Sequence, residues 1–562
     1  MNIHPRIVFL LILLVAAFLR LWMLDLRPAH FDEGVNGWFA DEMTEKGFFR
    51  YNPENFHGPL HMYATFVSQA LGGRNLWALR LPAVLASLLT VWAIWRFWEF
   101  FGVRAAGLAA AFAAVSPGFV FFGRYGIHES WMAFFIAITL HGTLGVWQRG
   151  SRRDLYWLCA GVAGMVLTKE TYVIHLVAFA AAFGVLWLWQ RVIDSEPSYP
   201  MAPWHFWVGD IVRGVGVAAA VVLLFYSGFL MAPEGVSGLW ETFLHWGKTG
   251  VEGAGHDKPE FTIGAFLSQF HWLRWLGWIR WPNFYWLALM TIWEWGVLVG
   301  FLACFYYIGR SDARVRWLAI VAGGTLLVFS CIPYKTPWCM VSIAVPFLLV
   351  AGVFLASRPI FVWLPVGGVV CAMGLLQSAM LNFRWYDSDS TKPSYVYVQT
   401  YDDVYTAVAP LLDKARRDAS FYHAPGIVML ESYYPLPWVL GDFTNVLFSE
   451  DEGKLQGQDT PAFVICAKSE AERVLATLRG EYFRKDFKLR SGLGPCTVFF
   501  NKEYFADVFG VPSTPSPLSI PSIPSDTVRT ENTGNTENTG NTGNTGNTGN
   551  TGGTDTTEGG TQ

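Results

Sequence analysis

The chain has 562 residues, of which 52% are hydrophobic and only 15% charged, and its formal net charge is -4. That is too apolar for an ordinary soluble protein, and the acidic balance argues against a nucleic-acid partner, which calls for a basic patch. The 27 Trp suit a chain with many membrane interfaces, where aromatic belts form.

In chain order, the first apolar run, Ile7 to Leu26, is long enough to cross a bilayer, which takes about 20 such residues. No small-residue cleavage site follows it, so it reads as a retained anchor. A polar segment, Arg27 to Leu79, comes next and opens with His30-Phe31-Asp32-Glu33, a carboxylate pair at the mouth of a span. Charge there is costly unless it faces water or a partner. The same segment holds His57-Gly58-Pro59-Leu60-His61, two histidines at i, i+4 on one face of a helix that Pro59 can begin. Further apolar runs at Arg80–Trp98, Ala105–Phe122, Trp131–Trp147, Leu155–Leu167, Val173–Trp189, Ile211–Met231, Phe284–Ile308, Trp317–Ile332, Cys339–Ala356 and Phe361–Leu381 bring the expected count to about eleven transmembrane helices.

One set of loops carries most of the arginines: Arg96, Arg104, Arg149, Arg152, Arg153, Arg191, Arg310, Arg314, Arg316 and Arg358. The opposite short turns carry one cation each, Arg124, Lys169 and Lys335. By the positive-inside rule the N-terminus is cytoplasmic, and Asp32 and the C-terminal part are outside, as expected of a multi-pass protein of the cytoplasmic (inner) membrane. A second long outer loop, Ala232–Asn283, holds His245, His256 and His271 among many aromatics and suits a position on the bilayer surface near a site.

Residues 1–382 thus form the membrane domain, with outer loops 27–79 and 232–283. From about Phe383 the composition changes. Tyr395-Val-Tyr-Val, Gly426-Ile-Val-Met-Leu, Ala462-Phe-Val-Ile-Cys and Thr497-Val-Phe-Phe read as strands, with helices at Tyr401–Arg417 and Ser469–Arg479, giving a small extracytoplasmic α/β domain over 383–511. Cys466 and Cys496 could pair in an oxidising compartment. No phosphate-binding glycine loop is present, so no nucleotide cofactor is expected. Residues 512–562, Pro/Ser-rich and then Asn-Thr-Gly repeats, lack the apolar surface to fold and read as disordered.

The outer turns bring acid and base to one face: Asp32 and Glu33, Arg124 to Glu129, Lys169-Glu170, and Lys335. Each cation alone is explained by snorkelling or a helix-end salt bridge; the cluster is not. A carboxylate can take a proton from a hydroxyl nucleophile, Lys and Arg can neutralise a leaving phosphate, and acids with His can hold a divalent cation. His57, His61, Glu129 and Glu170 are therefore candidates for substrate contact or a metal, whose identity is left open.

The Asp-Glu opening of the first outer loop, the Gly-Pro-Leu turn, Arg80-Leu-Pro-Ala and the Thr-Lys-Glu turn resemble the GT-C glycosyltransferases, in particular the protein O-mannosyltransferase and aminoarabinose transferase group. Tyr334-Lys-Thr-Pro-Trp, Tyr397-Val-Gln-Thr and Tyr434-Pro-Leu-Pro-Trp look more like the flippase-activity-associated proteins of archaeal-type N-glycosylation. The resemblance covers roughly residues 1–500. It implies a polyprenyl-phosphate sugar as donor, membrane lipid as surroundings, a glycan, lipid or protein acceptor, Asp32 as base with Glu33 beside it, and Lys169, with Arg124 and Lys335, at the lipid phosphate. Glu129 stands where the family pattern has a second Asp, which leaves metal dependence open. One base without a second, nucleophilic carboxylate implies inversion at the anomeric carbon. The alternative is a non-catalytic or flippase-associated component of lipid-linked glycan assembly.

Overall fold

The computed structural model describes residues 4–54, 57–193, 203–252, 256–279, 282–309, 312–387, 394–449 and 460–509; the expected disordered tail lies outside them. The first apolar run forms α1 (Pro5–Leu21), the polar segment forms α2 (Phe31–Lys46) and α3 (Leu60–Gly72), and α4 (Leu76–Trp95) follows. The next run divides into α5 (Trp98–Val115) and α6 (Pro117–Gly123), because Pro117 has no N–H to continue the ladder and Ser116 caps the new helix. Then come α7 (Glu129–Arg149), α8 (Arg152–Val166), α9 (Tyr172–Val192) and α10 (Val208–Tyr226). The second long loop carries α11 (Gly235–Glu252) and α12 (Ile263–Ser268), and α13 (Tyr285–Ile292), α14 (Trp295–Ile308), α15 (Ala313–Cys331), α16 (Met340–Ala356) and α17 (Ile360–Phe383) complete the bundle.

All eleven apolar runs are helical. Among the described residues eight helices are long and apolar enough to span a membrane, and nine if the α13–α14 pair, bent by 119°, counts as one. The expected eleven falls to this number because α1 has 17 residues and α8 only 15. The bundle is tightened by small residues. A Cβ on Gly142 of α7 would meet the Leu158 backbone of α8 at 2.5 Å, so these two helices meet backbone to backbone.

The C-terminal domain begins with α18 (Tyr405–Arg417) and contains a five-stranded sheet of β1 (Gly426–Met429), β2 (Val446–Ser449), β3 (Phe463–Ala467), β4 (Tyr482–Phe487) and β5 (Cys496–Asn501) in the order β2-β1-β3-β5-β4. β1 is parallel to β2 and β3, while β5 is antiparallel to β3 and β4. The chain also forms α19 (Leu436–Val439), α20 (Ala471–Thr477) and α21 (Lys502–Phe509). α18 and α21 cover one face of the sheet and α20 the other, which is why β1 and β5 are buried along their whole length.

Two expectations change here. Tyr395–Val398 is not a strand but part of an extended strap, with Tyr395, Val396 and Gln399 buried against the membrane domain, Thr400 buried and bridged to Arg490, and Val398 in the left-handed region at φ +54°. Cys466 and Cys496 are both free. Cys466 opposes Thr497 and Cys496 opposes Ala467, so the two thiols point from opposite faces of the sheet and cannot bridge.

Candidate active site

The N-terminus of α2 is built as a capping box. The Glu33 carboxylate accepts from the His30 N–H (2.9 Å), and His30 Nδ1 accepts from the Asp32 N–H (3.1 Å). His30 Nε2 bonds the Tyr397 carbonyl (3.0 Å), which can only accept, so the ring is the neutral Nε2–H tautomer. Burial lowers its pKa and favours the same form.

Glu33 is fully buried and bound on both oxygens. Oε1 accepts from Arg80 Nε (2.8 Å) and the Gly126 N–H (2.7 Å), and Oε2 from Arg80 Nη2 (2.7 Å) as well as the His30 N–H. Burial alone would raise its pKa, but the Arg80 charge and these bonds hold it down to about 2. Arg80 also donates to the carbonyls of Leu24 (2.7 Å), Arg27 and Pro28, tying the α1–α2 turn to α4. The Gly126 peptide is a hub, since its carbonyl accepts from Asn36 and from His61 Nε2, each at 2.8 Å.

Asp32 is placed differently from its neighbour. Its side chain is 34% exposed, and Oδ2 lies 3.7 Å from Nδ1 of the neutral His30 ring, with no cation in ion-pair contact among the described residues. Its charge reaches Tyr125, His256, Tyr334 and Arg490, which arrive from four separate parts of the chain.

The cations are mostly turned inward. Arg124 donates to the carbonyls of Leu19, Arg20, Trp22 (2.6 Å) and Met23 (2.6 Å), so it caps the C-terminus of α1. Lys335 caps α15 in the same way through the carbonyls of Phe329 (2.9 Å) and Ile332, and burial lowers its pKa to about 8. Both placements differ from the expected phosphate contacts, and helix-end carbonyls are the reason. Lys169 donates to Glu129 Oε1 at 2.5 Å, and that carboxylate outweighs burial to raise the lysine pKa.

His57 precedes α3 rather than lying on it, so the expected shared helix face with His61 does not form. His57 Nδ1 instead meets Glu170 Oε2 at 2.8 Å, and its ring stacks on Trp246 with centroids 4.9 Å apart. His128 lies between them, 5.0 Å from His57 and 4.8 Å from His61 by ring centroids. Burial holds His61 near pKa 4 and His128 well below the usual range, so both stay neutral. Among the described residues no group of three or more His, Cys, Asp or Glu side chains is arranged to hold a metal ion.

Tyr397 joins the remaining segments. Its hydroxyl pairs with His256 Nδ1 (2.7 Å), Lys258 Nζ lies 4.9 Å from its ring centre, and Trp338 lies 5.9 Å away. The C-terminal domain closes the other side. The Tyr434-Pro-Leu-Pro-Trp stretch sits on α2, Pro435 against Gly34 and Trp438 against Gly37, at distances that leave no room for a Cβ.

Comparison with known proteins gives this arrangement a context. A family model described as dolichyl-phosphate-mannose-protein mannosyltransferase matches residues 56–209. Among solved structures, apo ArnT from Cupriavidus metallidurans is similar over 89% of this chain and 98% of its own, at 16% identity and a TM-score of 0.55. The chain has the GT-C fold. ArnT bound to undecaprenyl phosphate matches 88% of this chain and 97% of its own, at 17% identity and a TM-score of 0.53. The oligosaccharyltransferase AglB from Archaeoglobus fulgidus, in complex with an inhibitory peptide and a dolichol-phosphate, covers 85% of this chain and 73% of its own at 11% identity and a TM-score of 0.45. Curated protein sequences gave no match. Within the GT-C fold of this chain, His30, Arg80, Gly126, His128 and Tyr397 share the site although the sequence reading, which placed them in its motifs, gave them no role of their own, and Arg490 shares it without having been singled out. The pairing of Arg80 with Glu33 had a signal, an arginine opening an apolar run, where a charge needs water or a partner.

Proposed function

We propose that the chain is a membrane glycosyltransferase that moves a sugar from a polyprenyl-phosphate donor to an acceptor hydroxyl or amide on protein, lipid or glycan. The observation that carries this reading is the contrast within one carboxylate pair: Glu33 is locked in the fold, and Asp32 beside it is open toward groups from four other segments. The family-model match over residues 56–209 and the likeness to ArnT support the same class.

In the proposed reaction Asp32 removes the acceptor proton as the acceptor atom attacks the anomeric carbon. The bond from that carbon to the phosphate oxygen breaks, and its electron pair leaves with the polyprenyl phosphate. The configuration inverts, because a single displacement needs no carboxylate nucleophile. Glu33 keeps the α2 terminus, and hence Asp32, in place. Lys169 is proposed for the phosphate, since an ammonium has three donors and the bond to Glu129 uses one. His57 and Glu170 are proposed substrate contacts, and no step is assigned to a metal. We place this site on the extracytoplasmic face of the cytoplasmic membrane, with the N-terminus inside, a reading that the cation distribution supports.

The test is single-turnover transfer by the purified chain from a panel of radiolabelled polyprenyl-phosphate sugars, with and without chelator. Transfer from at least one donor is expected. No transfer from any donor, with intact undecaprenyl phosphate binding, would favour the accessory role in lipid-linked glycan assembly.

A further inference from the structure

The C-terminal domain brings a charged side chain to the neighbourhood of Asp32. Arg490 follows β4, pairs by backbone bridge with Thr400 of the strap, and is 7% exposed. The face of its guanidinium lies 4.7 Å from the ring centre of Phe31, the residue next to Asp32. Nη1 donates to the carbonyls of Tyr434 (2.6 Å) and Ser432 (3.3 Å), and Nη2 to the Ser432 hydroxyl. Tyr434 in turn meets Phe31 edge-on at 5.5 Å. Those acceptors belong to the loop at the carboxyl end of β1, and the carboxyl ends of parallel strands are where open α/β sheets bind ligands. Here that end of the sheet faces the terminus of α2.

The charge of Arg490 is balanced unlike those of the site's other arginines. Arg80 pairs with Glu33, and Arg27 and Arg124 point at backbone carbonyls of the membrane helices. Among the described residues no carboxylate lies within ion-pair distance of Arg490, and the carboxylate within its electrostatic reach is Asp32. Burial lowers the Arg490 pKa to about 10, with Asp32 acting in the opposite direction, so the guanidinium stays charged at neutral pH.

We propose that Arg490 is a positioning residue, a positive charge supplied by the C-terminal domain that orients the Asp32 carboxylate, so that the site is completed only when the two domains are joined. This rests on the reading of Asp32 as the base. A mere clamp on the Ser432–Tyr434 loop would need the two-pronged guanidinium, whereas orientation by charge needs only a cation at that place.

The experiment compares full-length wild type, Arg490→Lys and Arg490→Met. The first readout is independent of turnover: carbodiimide labelling of Asp32 at neutral pH, followed by mass spectrometry with Asp312 as reference. Labelling of Asp32 is expected to rise severalfold in Arg490→Met and to stay near wild type in Arg490→Lys. The second readout is single-turnover transfer, expected to fall roughly 10- to 100-fold in Arg490→Met, by analogy with the loss of a group that orients a metal ligand. Arg490→Lys should recover most of it, and binding of radiolabelled undecaprenyl phosphate should change less than twofold in either variant. Equal Asp32 labelling in all three proteins, or an equal rise in both variants, overturns the proposal. Arg490-dependent labelling in a wild type that transfers no sugar would keep the coupling and overturn the catalytic reading instead.

Discussion

The first long loop, 27–79, is fastened to the helices beneath it by buried charge, whereas the second, 232–283, turns much of its apolar surface outward. Arg80, Glu33, His61 and Gly126 form one connected polar network under the first loop, every member of it buried or in the backbone. In the second loop Trp240, Trp272, Trp275 and Trp278 are 72%, 73%, 69% and 73% exposed, respectively. That loop touches the site at a few points: Thr242 on Tyr51, Trp246 on His57 and His256 on Tyr397. Indole rings of this kind favour the boundary between lipid and water. A network of buried partners fixes geometry, while a segment with few buried contacts opens at low free-energy cost. The carboxylate proposed for chemistry stands on the fixed loop, and the loop suited to the lipid surface stands across from it.

That division can be tested at several points. The largest effect is expected at Asp32. Asp32→Asn keeps size and most hydrogen bonding but removes the proton acceptor, so single-turnover transfer should fall about 100- to 10,000-fold with donor affinity little changed. Near wild-type transfer by that variant would take the role of base away from Asp32.

Glu33→Gln should act on stability first, because it leaves the Arg80 charge buried without its partner. The expected cost is about 3–5 kcal/mol in thermal or denaturant unfolding. Adding Arg80→Met should recover part of it; strict additivity of the two changes would show that they do not interact.

Acid should weaken the same network in two stages. His61, held neutral near pKa 4 against an unfolded value of 6.5, contributes fully above pH 6.5 and loses that contribution as the pH falls through 4. Glu33, held near 2 against 4.5, contributes fully above pH 4.5 and loses its share as the pH falls through 2. Unfolding temperatures measured from pH 8 downward should therefore decline first between 6.5 and 4. His30 and His128, also lowered by burial, act in the same direction, so His61→Gln should lessen that first decline by its own share, and an unchanged profile would remove His61 from the network.

Lys169→Met should weaken donor binding by roughly tenfold, as loss of one charge-assisted contact does, and acceptor binding less. Unchanged affinity for undecaprenyl phosphate would leave Lys169 as the partner of Glu129 alone. The smallest effects are expected in the second loop, where Trp272→Ala, Trp275→Ala and Trp278→Ala should each shift unfolding by about 0.5 kcal/mol or less. A loss of several kcal/mol at any of them would erase the contrast between the loops.

Much of this was legible in the sequence. Hydropathy located every membrane helix, since apolar runs of that length have few other uses. The alternation of strands with helices after residue 400 indicated the α/β domain, although β2 and β4 were missed. The polar, partly exposed Tyr482–Phe487 shows why, as an edge strand lacks the apolar signature of β1 and β5. The carboxylate pair was visible, but not the division of labour within it, which depends on an arginine 47 residues away. That Arg124 and Lys335, read as phosphate contacts, donate to helix-end carbonyls was hidden for the same reason. A cation near a helix end can face a ligand or the carbonyls of a different helix, and one-dimensional spacing does not tell the two apart. Val396 and Tyr397 were misread by their strand-like composition, whereas long-range contacts keep that segment a strap.

The two glycines of α2 also bear on how the protein is made. Gly34 and Gly37 are covered by Pro435 and Trp438, some 400 residues later in synthesis order. Until that part of the chain has left the ribosome and folded, this face of α2 stays bare and Phe31 lacks both Arg490 and Tyr434. A nascent or prematurely ended chain therefore carries Asp32 without its finished surroundings. The surroundings of Asp32 are thus complete only once the chain has been made as far as Arg490.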